Sequence, residues 1–477
     1  MPKSIQNQVF VHNLHDYTLI PNLHFIQAIR GIDPGPEKES FTCCELGCGF
    51  ADTLLYSAVL YPKAHFIGLD YNPTHIEEAN RVKELLHLTN IRFEVYDLTN
   101  ESVEDLGPFD YILCSGVYSW VSSQVRELIF SFCQKYLKEQ GTLSLNYNTS
   151  CGSASFDRVA YQIIKNYFIP PEMSKEEVFE NSLSYLKKLT KTKSAFSHFY
   201  KNAKQRVKRL EQDTIHFIIH DIMTEARDCF FLPSVCRVAE KYQLSFAGSS
   251  ALNDLPYLKK QKEITEKYSS DIEKECFSTI LLNANMRFDL FQKNIAKLTP
   301  EEQLERILDT TVALKKLPIF VDDFAEVSNP PLKKHLPLNA IHTICQILLE
   351  GPKKIRLLST FMRNEALISV LLSLFQQDLL VPVHTQSPDS AKIKKWNSYA
   401  WNYKFNTLIS PKFGTPLVLD TLQQFAYKLH TENLAINEEN IKKELRDIKL
   451  QNEENLLFHI KELQNSFLPY LAHLEII

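Results

Sequence analysis

The chain has 477 residues, 44% hydrophobic and 23% charged, with 53 Lys and Arg against 57 Asp and Glu for a net charge of -4. That length calls for two to four domains, and the composition excludes a disordered or fibrous chain. The slightly acidic balance argues against a nucleic-acid partner, and no stretch reaches the roughly 20 apolar residues of a membrane span.

Segment Ser40 to Glu45 reads as a buried strand that runs into Glu45-Leu46-Gly47-Cys48-Gly49-Phe50, and a helix is expected from Asp52 to Leu60. His65 to Asp70 reads as a second strand, and Asn72 is an N-cap with Pro73 opening a helix to Leu88. Ile91 to Tyr96, Phe109 to Cys114 and Gly141 to Tyr147 are further strands, with a helix from Gln124 to Lys138 between the last two. Strands and helices alternating in this way predict an α/β fold with a parallel sheet and right-handed crossovers. Residues from about Pro171 to Arg227 look wholly helical, an insertion. A helix from Pro233 to Tyr242 and strands at Leu244 to Ala247 and Cys276 to Asn283 then complete the sheet. Thr299-Pro300 starts another helix. Val327 to Pro331 reads as a linker, and Leu338 to Leu380 as helices that end in a small hairpin at Val381 to His384, loosely a winged-helix pattern. Gln451 to Ile477 is one or two amphipathic helices.

Glycine is scarce, and nine of the 12 lie at or before Gly152, so the turn-rich part is the first third. The ten cysteines show no Cys-x-x-Cys pair, which favours reduced thiols in a cytoplasmic protein and disfavours structural zinc. The start, Met1 to Gln6, has no apolar run, so no secretory signal is expected.

A strand, then Glu45-x-Gly47-x-Gly49, then a helix is a nucleotide-cofactor turn. A dinucleotide site wants a third glycine where this chain has Asp52, and two carboxylates beside a pyrophosphate would repel it. S-adenosylmethionine carries a sulfonium and an ammonium and no phosphate, so Glu45 and Asp52 favour it. Asp70, at the end of the second strand, can accept from both ribose hydroxyls. Tyr71 offers the adenine an aromatic face, and Asp97, ending the third strand, can accept from the adenine amino group. The bland alternatives are that Asp97 caps the Thr99-Asn100 turn and that Cys48 packs rather than reacts.

Glu45 to Gly49, Phe66 to Asp70 and Gly107 to Ile112 resemble the first motif, second motif and fourth strand of class I S-adenosylmethionine-dependent methyltransferases. Gly116-Val117-Tyr118-Ser119-Trp120-Val121 with Val125-Arg126, and later His220-Asp221, Phe230-Phe231 and Tyr242 to Ala247, resemble the bacterial group with a methyltransferase regulatory domain, which includes rickettsial enzymes that methylate lysines of an outer-membrane protein. Three places depart from that group: Ser115 stands where His is usual, Tyr147-Asn148-Thr149-Ser150-Cys151-Gly152-Ser153 lacks its aromatic Tyr and Trp, and Asp16-Tyr17-Thr18 is a partial N-terminal match.

The resemblance implies a Rossmann-like class I methyltransferase sheet with a helical insertion, followed by mostly helical middle and C-terminal domains. The expected divisions are residues 1–165 for the first part of the cofactor core, 166–227 for the insertion and 228–292 for core completion. Residues 293–405 form a winged-helix-like middle domain and 406–477 a helical C-terminal domain. Expected at the S-adenosyl-L-methionine site are Glu45, Gly47, Cys48, Gly49, Asp70, Tyr71, Asn72, Asp97, Leu98, Ser115 and Val117. Tyr118, Tyr147 and Asn148 would be catalytic, and Trp120 and Tyr17 would contact substrate, although Tyr147 and Trp120 also read as core aromatics, and for Trp120 that reading is slightly favoured. No metal site is expected. The leading acceptor is a protein lysine and the assembly a homodimer. The alternatives are a small-molecule or RNA methyltransferase and a non-catalytic S-adenosylmethionine-binding scaffold.

Overall fold

The computed structural model describes residues 12, 14–35, 39–100, 106–152, 154–167, 174–192, 198, 200, 203–212, 228–251, 267–268, 270–317, 338–384, 389–403, 405–444 and 456–477. The expected linker at Val327 to Pro331 and the His220-Asp221 pair lie outside these residues.

In chain order the first elements are α1 (Ile20–Ile29), β1 (Thr42–Leu46), α2 (Asp52–Leu60), β2 (His65–Asp70), α3 (Pro73–Leu85), β3 (Ile91–Val95), β4 (Phe109–Cys114), α4 (Ser123–Tyr136) and β5 (Leu137–Asn148). The sheet is completed by β6 (Leu244–Ser249) and β7 (Met286–Lys293), in the order β3-β2-β1-β4-β5-β7-β6. β1 to β5 pair in parallel, while β7 runs antiparallel to both β5 and β6. The ends of β1 to β6 and the start of β7 therefore share one edge. The sheet is thus a mixed, Rossmann-like α/β sheet rather than the wholly parallel one expected from the alternation. Side chains alternate across it: Cys43, Phe66 and Tyr111 pack on one face, and Cys44, Leu69 and Ile112 on the other.

The stretch Cys276 to Asn283 is not a strand. It lies in the helix Asp271–Leu281, opened by a capping box between Ser270 and Glu273. The apolar run misleads because this helix turns polar residues inward: Glu275, Ser278 and Thr279 are buried, while Ile280 is 49% exposed. The inward face serves Arg287 of β7, itself fully buried. Arg287 Nη1 donates to Thr279 Oγ1 at 2.5 Å, and Nη2 donates to Asp289 Oδ1 at 2.7 Å and to Glu275 Oε2 at 3.3 Å. Arg30, just beyond α1, pairs with the same Glu275. Two cations and two carboxylates thus balance inside the β5–β7 side of the sheet.

Between β5 and β6 lie the helix Ala154–Tyr167, which begins ahead of the expected insertion, and the helices Lys175–Lys191 and Ala203–Gln212 within its expected bounds. They share a small core of Phe156, Ala160, Leu186, Ala203 and Val207, tied by Arg206 to the buried Asp157 at 2.9 Å. Beyond the sheet, the helix Pro300–Asp309 has its expected Thr299 cap in a capping box with Glu302. The segment Val381 to His384 does not fold back as a local hairpin. Its strand β10 (Leu380–Val383) pairs with β8 (Thr311–Leu314), which also pairs with β9 (Lys353–Lys354). The helices Leu338–Leu349 and Asn364–Gln376 lie between in sequence. The expected helical C-terminal region also holds a two-stranded ribbon, β11 (Thr407–Ile409) with β12 (Pro416–Val418), ahead of helices that include Thr421–Thr431 and Leu456–Glu462.

One apolar cluster runs from α1, α2 and α3 into the helices Leu338–Leu349, Asn364–Gln376 and Ser390–Asn402. Its anchor is Trp396, fully buried with its ring edge-on to Tyr56 of α2 at 5.4 Å.

Replacing Arg287 with Met should leave Asp289 buried without its cation. We expect the chain to lose about 3–5 kcal/mol of stability, read as a lower urea midpoint at unchanged slope.

Candidate functional site

The loop between β1 and α2 turns because Gly47 and Gly49 take left-handed angles, φ 69° and 55°. Gly47 also has to be bare, since a Cβ there would collide with Val117 Cγ2 of the loop after β4. The loop is pinned to β2: Gly47 N donates to Leu69 O at 2.7 Å, and Gly49 N donates to Asp70 Oδ2 at 2.8 Å. Asp70 Oδ1 accepts from Asn72 N at 2.8 Å and lies 3.1 Å from His75 Nδ1. Asn72 caps α3 through Thr74 N, as its position before Pro73 predicts.

Glu45 lies one residue before the end of β1 and is buried. Its Oε2 has no hydrogen-bond partner among the described residues, and the same is true of Ser115 Oγ at the end of β4. Burial and the neighbouring charges of Asp52 and Asp70 push the Glu45 carboxyl up to about 8. Cys48 is buried beside it with its thiol pushed well up, chiefly by burial, which fits packing rather than reaction.

The remaining expected residues divide. Tyr71 is half-buried after β2, and Leu98 and Val117 pack against the apolar cluster on the β4–β5 face. Asp97 Oδ1 accepts from Thr99 N at 2.9 Å and from Thr99 Oγ1 at 2.7 Å, so the turn-capping role weighed from the sequence is present. Gly116 N donates to Asn146 Oδ1 at 2.7 Å and Asn148 N to Ser119 Oγ at 2.8 Å, which clamp the loop after β4 onto the end of β5. That clamp holds Tyr118 in a nest of rings, with Phe230 at 5.1 Å, Phe130 at 5.8 Å and Tyr147 at 6.0 Å. Burial raises the Tyr118 hydroxyl, so it stays protonated at neutral pH. Trp120 is buried in the same turn.

Tyr147 is buried. Its hydroxyl donates to Asp289 Oδ2 at 2.5 Å inside the Arg287 network, because β7 sets Arg287 opposite Tyr147 in register. Tyr17 lies across the sheet edge, its ring 4.2 Å from Phe288 at the start of β7. Both line a cavity of about 280 Å³ closed on its far side by Lys315, Phe375 and Asp378. Three residues passed over in the sequence reach the carboxylates beside the glycine loop: His75 meets Asp70, and His12 and Tyr399 meet Asp52. Only His75 had a local signal, five residues beyond Asp70.

Residues 37–270 match the family model described as a methyltransferase domain. Over that segment, just under half of its length, the chain is similar to the methyltransferase-domain family. The methyltransferase fold extends to the whole chain: PKMT2 from Rickettsia typhi in complex with AdoHcy superposes with a TM-score of 0.69 over 97% of this chain and 99% of that one, at 16% identity. By sequence, an uncharacterised protein of Synechocystis is 25% identical over 82% of this chain and 80% of its own length. An uncharacterised protein of Rickettsia prowazekii is 30% identical over 63% of this chain, which spans 58% of that relative. Among the described residues no helix is long and apolar enough to cross a membrane, and no group of His, Cys, Asp or Glu is arranged to hold a metal.

Gly47→Ala in this domain should force Val117 aside and strain the turn. The expected outcome is a destabilisation of about 1–3 kcal/mol in denaturant unfolding together with weakened S-adenosylmethionine binding.

Proposed function

We propose that the chain transfers methyl groups from S-adenosylmethionine to lysine side chains of a protein. The observation that carries the donor half is Glu45 Oε2, a buried carboxylate oxygen without a partner, one residue pair from the bare Gly47. A cationic ligand satisfies such a group and a pyrophosphate does not. In this reading Glu45 and Ser115 face the polar methionine end of the donor. Asp70 accepts from the ribose hydroxyls through Oδ2, which Gly49 N alone engages and which keeps lone-pair capacity for a further donor. Tyr71, Leu98 and Val117 flank the adenine, and the turn at Asp97 lines its edge.

When bound, S-adenosylmethionine supplies a sulfonium-activated methyl group. The chain's own residues have to present the acceptor amine neutral and aligned. A lysine has an unperturbed pKa of about 10.4, and a dry aromatic pocket lowers it. Tyr118 is the residue assigned to orient the amine, from within its nest of rings. Tyr147 acts indirectly: bonded to Asp289, it supports Tyr118 and the end of β5 at Asn148. The cavity lined by Tyr17 and Phe288 lies at the same sheet edge and would receive residues flanking the acceptor lysine. The lysine class is supported by the motif resemblance at Gly116 to Val121 and by the whole-length fold likeness to PKMT2. A second reading, a non-catalytic S-adenosylmethionine-binding protein, draws on the engagement of Tyr147 by Asp289.

Incubating the full chain with methyl-labelled donor and candidate proteins, followed by mass spectrometry, separates the two. Labelled lysines are expected; tight donor binding with no labelled lysine would overturn transfer to lysine. Tyr118→Phe should cut turnover about 100-fold with donor affinity unchanged, whereas Asp70→Ala should weaken donor binding by about ten-fold or more.

The pH dependence follows from Glu45. With its folded pKa raised from 4.5 to about 8, the empty chain holds a proton there that the unfolded chain has lost. Its stability should therefore fall as pH rises between those values. Binding a cation requires the ionised form, so donor affinity should rise with pH and level off above about 8. Glu45→Gln should flatten both profiles in calorimetric titrations and thermal unfolding.

A further inference from the structure

Asp52 is the acidic residue that stands in place of a third glycine, and the sequence offers no partner near it. In the fold its carboxylate is buried in the first turn of α2, where the helix N-terminus favours an anion. Two distant segments reach it. His12 Nδ1 lies 3.0 Å from Oδ1 and 3.2 Å from Oδ2, and the Tyr399 hydroxyl donates to Oδ1 at 3.0 Å. The His12 ring stacks on Phe50 of the cofactor loop at 4.3 Å and meets Tyr403 at 4.4 Å. Tyr403 in turn donates to Glu78 Oε1 of α3 at 3.1 Å and accepts from Arg81 Nη2 at 2.7 Å. Next along the chain, His15 N donates to Thr53 Oγ1 at 2.9 Å, which continues the attachment of this segment to α2.

We propose that His12, Asp52 and Tyr399 form a latch that positions the cofactor loop, so that the helix Ser390–Asn402 and the segment around His12 set the affinity for S-adenosylmethionine. This rests on the donor reading above and assigns positioning residues to a part of the chain outside the matched domain. The loop Gly47 to Ala51 lies between two fixed ends. β1 holds one end, and the first turn of α2, held through Asp52, is the other. Freeing Asp52 lets the α2 end of the loop relax away from Asp70. The latch also bears on charge. Asp52 is the larger of the two like charges acting on Glu45, the other being Asp70. Facing Asp52 are His12, Tyr399 and Tyr403, with Glu78 and Arg81 behind Tyr403 and His75 edge-on to Phe50.

The test is calorimetric titration of the full chain with S-adenosylmethionine. Tyr399→Phe removes only the hydroxyl, and His12→Phe keeps a ring on Phe50 while removing Nδ1. Each should weaken binding about ten-fold, and the double variant should be less than additive because both act through Asp52. Tyr403→Phe loses bonds to Glu78 and Arg81 but none to Asp52, and should bind as the unaltered chain does. Asp52→Asn should move the rise of affinity with pH downward by about one unit, since a like charge on Glu45 is gone. Unchanged affinity in Tyr399→Phe and His12→Phe overturns the latch, as does equal weakening by Tyr403→Phe. If Tyr399→Phe does not fold, His12→Phe decides alone, its site being partly open to solvent. An unaltered chain that binds no S-adenosylmethionine overturns the donor reading and the latch together, whereas binding that the variants leave intact overturns the latch only.

Discussion

Three carboxylates side by side, two of them buried and Asp70 partly so, dominate one edge of this molecule. Glu45, Asp52 and Asp70 come from the end of β1, the start of α2 and the end of β2, and like charges this close cannot all stay ionised without compensation. The fold treats them differently. Asp70 receives two backbone N–H groups and faces His75. Asp52 receives a helix N-terminus, an imidazole and a phenol. Glu45 is left with an oxygen that nothing in the described chain satisfies and a proton it holds up to about pH 8. An edge built this way is short of one cation, and the proposed donor would supply it.

Much of this edge was legible in the sequence because it rests on local rules. The glycine loop, the strand His65 to Asp70 and the Asn72-Pro73 helix start depend on residues within a few positions of each other, and all are present. What escaped depends on long-range pairing. Cys276 to Asn283 looked like a strand because its apolar residues cluster, yet the helix there points polar groups inward to meet Arg287. β8 is four residues long and owes its existence to β9 and β10, so no local pattern marks it. Tyr147 looked catalytic by position, and only the β5–β7 register shows its hydroxyl directed to Asp289. His12 and Tyr399 sit 387 residues apart and meet at Asp52, with the Tyr399 hydroxyl also 3.4 Å from His12 Nδ1.

The same long-range character joins the methyltransferase sheet to the helices beyond it. The α2 face of the sheet is covered by Trp396 and its neighbours, and the apolar cluster passes without a break from Phe41 and Leu54 to Leu371 and Ile393. Burying such a face requires an apolar partner, and the later helices provide it. The cavity beside Tyr17 exists because that partner stands slightly off the sheet edge, with Asp378 and Lys315 forming its far wall.

The position of β7 sets an order on how the molecule can be made. β7 inserts between β5 and β6 although it follows both in the chain. As the chain leaves the ribosome, β1 to β5 can pair in succession and shape the glycine loop. β6 emerges without a neighbour, because the strand it pairs with has not yet been synthesised. Sheet closure waits for residues 286–293, and joining them to β5 closes a loop that contains the whole helical insertion. The described helices between β5 and β6 share a small core and an ion pair of their own, so they can settle before that closure and shorten the loop that remains to be ordered.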